Sequence, residues 1–114
     1  MILFSIQDQI DRRNLKRQIM ISNKMNDKQE EILSIAQEEC GEVIVAISKI
    51  FRFGFNSRWP EGGIDNRTRL TEELGDLMAM VQLMVQNGIV DMEELSKAGE
   101  RKITKLKTWS KIYD

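Results

Sequence analysis

The residues that break helices are confined to a few places in this chain. It has one proline, Pro60, and four of its seven glycines lie between Gly41 and Gly63. Proline removes a backbone donor and glycine loosens the backbone, so the stretches on either side are free to run as long helices. Val, Thr and aromatic residues are sparse, which disfavours a sheet. The pattern predicts an all-α fold, a small bundle of about four helices.

The helix boundaries follow from local chemistry. Residues 5–22 carry a loose stripe of Ile6, Ile10, Leu15, Ile19 and Met20, the weakest of the four. Asp27 with Glu30 three residues on matches a capping box. It predicts a helix from 27 to about 53, with Gly54 as its stop. The segment GFNSRWPEGGIDN, 54–66, reads as a loop. Asn66 is expected to cap a third helix that runs to about Gln86 and stops at Asn87-Gly88. Asp91 with Glu94 predicts a last helix over 92–108. Residues 1–26 read as an N-terminal extension and 27–114 as the helical domain.

Composition then narrows the chemistry. The 114 residues include no histidine and one cysteine. That excludes Ser-His-Asp catalysis, His-ligated zinc, internal disulfides and Cys-cluster metal sites. Lys plus Arg number 17 against 18 Asp plus Glu, so the basic excess of a nucleic-acid binder is missing. No apolar run approaches the ~20 residues of a membrane span. The lone Cys40, read as a packing residue, fits a reducing, cytoplasmic setting.

What remains is carboxylate. The second helix carries Glu38-Glu39-Cys40-Gly41-Glu42 and the third Glu72-Glu73-Leu74-Gly75-Asp76. Placed at about 100° per residue, Ile32, Ala36, Val43, Ile47 and Ile50 centre the apolar stripe of the second helix. Glu39 falls inside it, Glu42 at its edge and Glu38 further out. On the third helix Leu70, Leu74, Leu77, Val81 and Val85 centre the stripe. Glu73 falls inside, Asp76 at the edge and Glu72 outside. An unpaired carboxylate in an apolar setting is costly and must be protonated, paired or bound to a cation. Neither stripe supplies a Lys or Arg. An oxygen-only set of Glu39, Glu42, Glu73 and Asp76 suits a hard cation, Mg²⁺ or Mn²⁺. Gly41 and Gly75 either let the helices approach closely or lie on an outer face.

EECGE at 38–42 followed by ELGD at 73–76 resembles the E-E-x-x-E, spacer, E-x-x-D motif of the MazG-like all-α nucleoside triphosphate pyrophosphohydrolases. The intervening RFGFNSRWPEGGIDNRTRLTE and the trailing KITKLKTWS also look like the single-domain phage and bacterial branch. The resemblance spans about residues 28–110. It implies a helical bundle completed by assembly as a homodimer or homotetramer. It implies hydrolysis of an NTP or dNTP to the monophosphate and pyrophosphate. It makes Glu39, Glu42, Glu73 and Asp76 ligands of Mg²⁺, or Mn²⁺ in its place, and Glu38 an outer ligand or the base that orients water. Phosphate contacts are expected from Arg52, Lys102 and Lys105, and base or sugar contacts from Trp59 and Asn66. Neither a membrane nor a nucleic-acid polymer is expected as a partner. Related enzymes of the dUTPase or phosphoribosyl-ATP pyrophosphohydrolase type share this chemistry on other substrates. A helical interaction module, its acids paired across a dimer, is the non-enzymatic alternative.

Overall fold

The computed structural model describes residues 5–21 and 23–114, with the side chains at 16 and 18–21 outside the description. The stripe positions Ile19 and Met20 are therefore outside the described side chains. The described residues form four helices: α1 Ile6–Ile21, α2 Asp27–Phe53, α3 Asn66–Gln86 and α4 Met92–Trp109. Residues 24–86 make one compact unit, and α1 and α4 belong to a second.

In the first unit α2 packs on α3. The side chain of Asn66 donates to the carbonyl of Lys49 at 3.4 Å, and further along Glu39 meets Glu73 and Asp76. Residues running backwards on α2 thus meet residues running forwards on α3, so the pair is antiparallel. Gln29, Ile32, Ala36, Glu39, Val43, Ala46 and Ile50 are buried or half-buried along α2. Asn66, Leu70, Glu73, Leu77, Met80 and Met84 are so along α3. Both sets alternate steps of three and four, the spacing of a two-helix seam.

This seam is narrower than the expected stripes. Ile47 and Leu74, expected at the stripe centres, are exposed, while Ala46 and Met80 are buried. Each helix has one partner within the unit, so one line of side chains is covered and the rest of the apolar stripe stays outside. Taking Glu39 and Glu73 as the seam direction, Glu42, Lys49, Phe53, Arg69 and Asp76 fall about 40–80° to one side. In an antiparallel pair that sense of rotation leads to a single face. Leu33, Cys40, Ile44, Ile47 and Phe51 on α2, with Leu74, Met78, Val81 and Val85 on α3, fall about 80–140° to the other side. Cys40 is exposed there, so it does not pack as expected. Gly41 and Gly75 lie on outer surfaces, with nothing within 4 Å of an added Cβ. They do not mediate close helix approach.

The caps shift by one residue from the sequence reading. Asn26, extended at φ −86° and ψ 170°, caps α2 by accepting from the Gln29 N–H, and the Gln29 side chain accepts from the Asn26 N–H in return. Asn-Asp-Lys-Gln and Asp-Lys-Gln-Glu overlap, and both satisfy the box chemistry. Entry of the chain at Asn26 leaves Asp27 in the first turn, where its charge complements the helix dipole. Gly54 ends α2 at φ 89°, its N–H donating to the Ile50 carbonyl at 2.8 Å.

Asp65, not Asn66, caps α3: its carboxylate accepts from the Thr68 N–H at 2.7 Å. That bond, then one from the Thr68 side chain, holds the Asp65 carboxyl below its ordinary range, with Arg58 and Arg67 adding to the effect. Asn66 is instead buried, its amide nitrogen donating to the carbonyls of Gly54 at 3.0 Å and Lys49 at 3.4 Å. The loop is tied further by Arg58 to the Gly63 carbonyl at 2.8 Å, Arg69 to the Trp59 carbonyl at 2.9 Å and a long Arg58–Asp65 ion pair at 3.9 Å.

In the second unit Ser5 and Asp8 cap α1 reciprocally. On α4 the Asp91 carboxylate accepts from the Glu94 N–H at 3.0 Å, and Ser110 closes the other end on the Leu106 carbonyl. Lys97 pairs with Glu93 and Glu94 on the exposed surface, where such pairs are worth little.

Asn66→Ala is expected to lower unfolding free energy by about 1–3 kcal/mol, because a buried amide that bonds the Gly54 and Lys49 carbonyls is lost. Gly75→Ala is expected to raise it by about 0.5–1 kcal/mol, since the new Cβ meets open space on a helix. Urea denaturation measures both.

Candidate metal centre

The seam that holds α2 to α3 also carries the acids. Glu39 and Glu73 are half-buried in it and Asp76 is exposed at its edge. One carboxylate oxygen of each lies within 4.8 Å of the others. Helical geometry explains the convergence. Glu73 and Asp76 are three apart and so neighbours on one face of α3, and the antiparallel register sets that face against Glu39.

The electrostatics are unfavourable to three bare anions. Burial pushes the Glu39 carboxyl above its ordinary range, and the charges of Asp76, Glu73, Glu42 and Glu38 push it further. Its Oε2 is shielded from solvent and has no hydrogen-bond partner. Among the described residues the ion pairs join Arg58 to Asp65 and Lys97 to Glu93 and Glu94, and none reaches this cluster. A shielded oxygen without a donor, beside two more carboxylates, fits a hard divalent cation with oxygen ligands. Such an ion would supply the positive charge that the helices do not.

The other expected residues divide. Glu42 and Glu38 are exposed; their charges reach Glu39, but neither belongs to the three-oxygen group. Arg52, also exposed, lies over the Phe53 ring at 4.8 Å. Trp59 and Asn66 share a cavity of about 250 Å³ at the loop end of the α2–α3 pair. Lys102 and Lys105 are exposed on α4, in the second unit.

The cavity also brings in residues that the sequence reading passed over: Lys49, Ser57, Arg58 and Arg69. For Lys49 and Arg58 the signal in the sequence is the interleaving of basic and aromatic residues from Lys49 to Trp59; Ser57 and Arg69 carry none.

In metal-free protein the raised Glu39 pKa has a defined stability consequence. The folded state binds that proton more tightly than the unfolded chain. The favourable contribution is therefore complete below the ordinary carboxylate pKa of 4.5 and is lost as pH rises through the raised folded value. Glu39→Gln is expected to raise the melting temperature of the metal-free protein at neutral pH. The gain should vanish in acid, and thermal melts across pH check it.

Comparison with known proteins gives the family of the chain. The model of the MazG nucleotide pyrophosphohydrolase domain matches residues 27–108, from the start of α2 to one residue short of the end of α4. No curated protein and no solved structure matches the chain. The match covers both acid-bearing helices and most of the chain, and the chain belongs to the MazG nucleotide pyrophosphohydrolase family.

Proposed function

We propose that this chain hydrolyses a nucleoside or deoxynucleoside triphosphate to the monophosphate and pyrophosphate, with Mg²⁺ or Mn²⁺ as cofactor. The observation that carries the proposal is the shielded, unpartnered Oε2 of Glu39 facing Glu73 and Asp76. Phosphoryl transfer needs positioning and charge neutralisation more than covalent help, so histidine is dispensable.

Glu39, Glu73 and Asp76 hold the ion, and Glu42, one turn beyond Glu39, adds the fourth carboxylate. When bound, the ion neutralises the triphosphate and the charge that develops on it. Glu38, on the same helix, is the outer ligand or the base that orients water. That water attacks the α-phosphorus, and pyrophosphate leaves. Arg52, Lys102 and Lys105 are assigned to the phosphates, and Trp59 and Asn66 to the base or sugar. No helix among the described residues is long and apolar enough to cross a membrane. With the lone cysteine, this supports a cytoplasmic setting.

Addition of Mg²⁺ or Mn²⁺ should raise the melting temperature of the wild type, and Glu42→Gln or Asp76→Asn should abolish the rise. A panel of NTPs and dNTPs, dUTP included, should give monophosphate and pyrophosphate. Diphosphate and orthophosphate, or no turnover across the panel, would contradict the proposal.

We also propose a homodimer or homotetramer, formed through the face opposite the acids. Ile44 is 68% exposed, Met78 72% and Phe51 86%. Leu33, Cys40 and Ile47 continue this surface on α2, and Arg67 on α3 is the charge that the same rotation brings to its loop end. A second copy matches so largely apolar a face by symmetry. Light scattering should give a multiple of 13.3 kDa, and Ile44→Glu should reduce it to that mass. A wild-type particle of 13.3 kDa would rule the assembly out.

A further inference from the structure

The cavity at the loop end of α2 and α3 is separate from the acids yet on the same face. Along α2, Lys49 lies ten residues, about 15 Å, from Glu39; along α3, Arg69 lies four residues, about 6 Å, before Glu73. This is a span that one nucleotide can bridge from its phosphates to its base.

The lining has a definite chemical character. Trp59 is 82% exposed, so its indole offers an open aromatic face, and Phe53 adds a second ring. The bond from Arg69 to the Trp59 carbonyl fixes the backbone that carries this platform. Arg58 and Arg69 each donate to a loop carbonyl, and Arg58 also faces Asp65, so both guanidiniums are anchored to the loop. The Asn66 amide nitrogen is likewise spent on two carbonyls. Lys49 is different: it is half-buried, lines the cavity and makes no ion pair among the described residues. Ammonium is a donor only, and no carboxylate lines the cavity to accept from an amino group. The amide oxygen of Asn66 and the hydroxyl of Ser57 are the side-chain acceptors.

We infer that this cavity holds the nucleobase of the substrate and that Lys49 selects bases bearing a ring carbonyl where adenine and cytosine carry an amino group. The inference rests on the hydrolase reading for what occupies the acids, and it names the substrate class of that site. An aromatic ring stacks on Trp59, and its carbonyl accepts from the Lys49 ammonium. An amino group in that position would face a second donor.

The test uses Trp109→Phe protein, in which Trp59 is the sole tryptophan, with Mg²⁺ present. GMP and UMP should quench its fluorescence saturably and bind about tenfold more tightly than AMP and CMP, as one charge-assisted hydrogen bond allows. Lys49→Met should erase the preference, and Lys49→Arg, which restores a donor, should recover it. Triphosphate turnover measured alongside should show the same order in kcat/KM. No saturable quench, or equal affinity for all four nucleotides, with turnover intact would overturn the inference and leave the hydrolase reading standing. Selective quenching without turnover of any triphosphate would sink the hydrolase reading and support the cavity assignment.

Discussion

A carboxylate in a helix seam is the constraint around which the α2–α3 unit is organised. The seam is what joins the two helices, and seams are normally filled with side chains that gain from leaving water. Glu39 occupies a seam position between Ala36 and Val43, with one oxygen shielded and unpartnered. Glu73 and Asp76 meet it from the facing helix. The helices therefore give up apolar contact at that level and accept mutual repulsion among anions. The covered apolar positions on either side, Ile32 and Ala36 before and Ala46 beyond, hold the pair together despite this. This arrangement fits a site that needs charge inside a packed interface, because a bound cation would offset the cost.

The same geometry gives the pair two unlike faces. Small rotations to one side of the seam place Glu42, Asp76, Lys49 and Arg69 on a polar surface with the cavity at its end. Larger rotations to the other side place Ile44, Phe51, Leu74 and Met78 on a largely apolar one, with Arg67 at its loop end. The loop from Gly54 to Asp65 is tied by its own Arg58 and by Arg69 and Asn66 of α3. Arg58, Arg69 and Asn66 each bond to backbone carbonyls. These bonds fix the shape of the cavity that Lys49, Phe53, Ser57 and Trp59 also line.

Much of the site was legible because helical phase is a local property. The positions of Glu39 and Glu73 within apolar stripes follow from a period of about 3.6 residues and need no tertiary information. The caps were legible to within one residue, since Asn26-Gln29 and Asp27-Glu30 offer the same chemistry. Asn66 was misread because asparagine is equally good at capping a helix and at satisfying buried carbonyls. Only the approach of Gly54 and Lys49 selected the second role. Ile47 and Leu74 sit at stripe centres yet are exposed, because a stripe shows which residues are apolar, not how much of it a partner covers.

The sequence by itself determined the four helices, the absence of histidine chemistry and the placement of acids in the seam. Each of these depends on residue type and short-range spacing alone. The tertiary structure decided that Glu39, Glu73 and Asp76 converge while Glu42 stands apart. It also decided that Lys49, Trp59 and Arg69 share a cavity. These outcomes depend on the antiparallel register of α2 against α3 and on the path of the loop. Both are set by contacts between residues far apart in the chain, which no local pattern encodes.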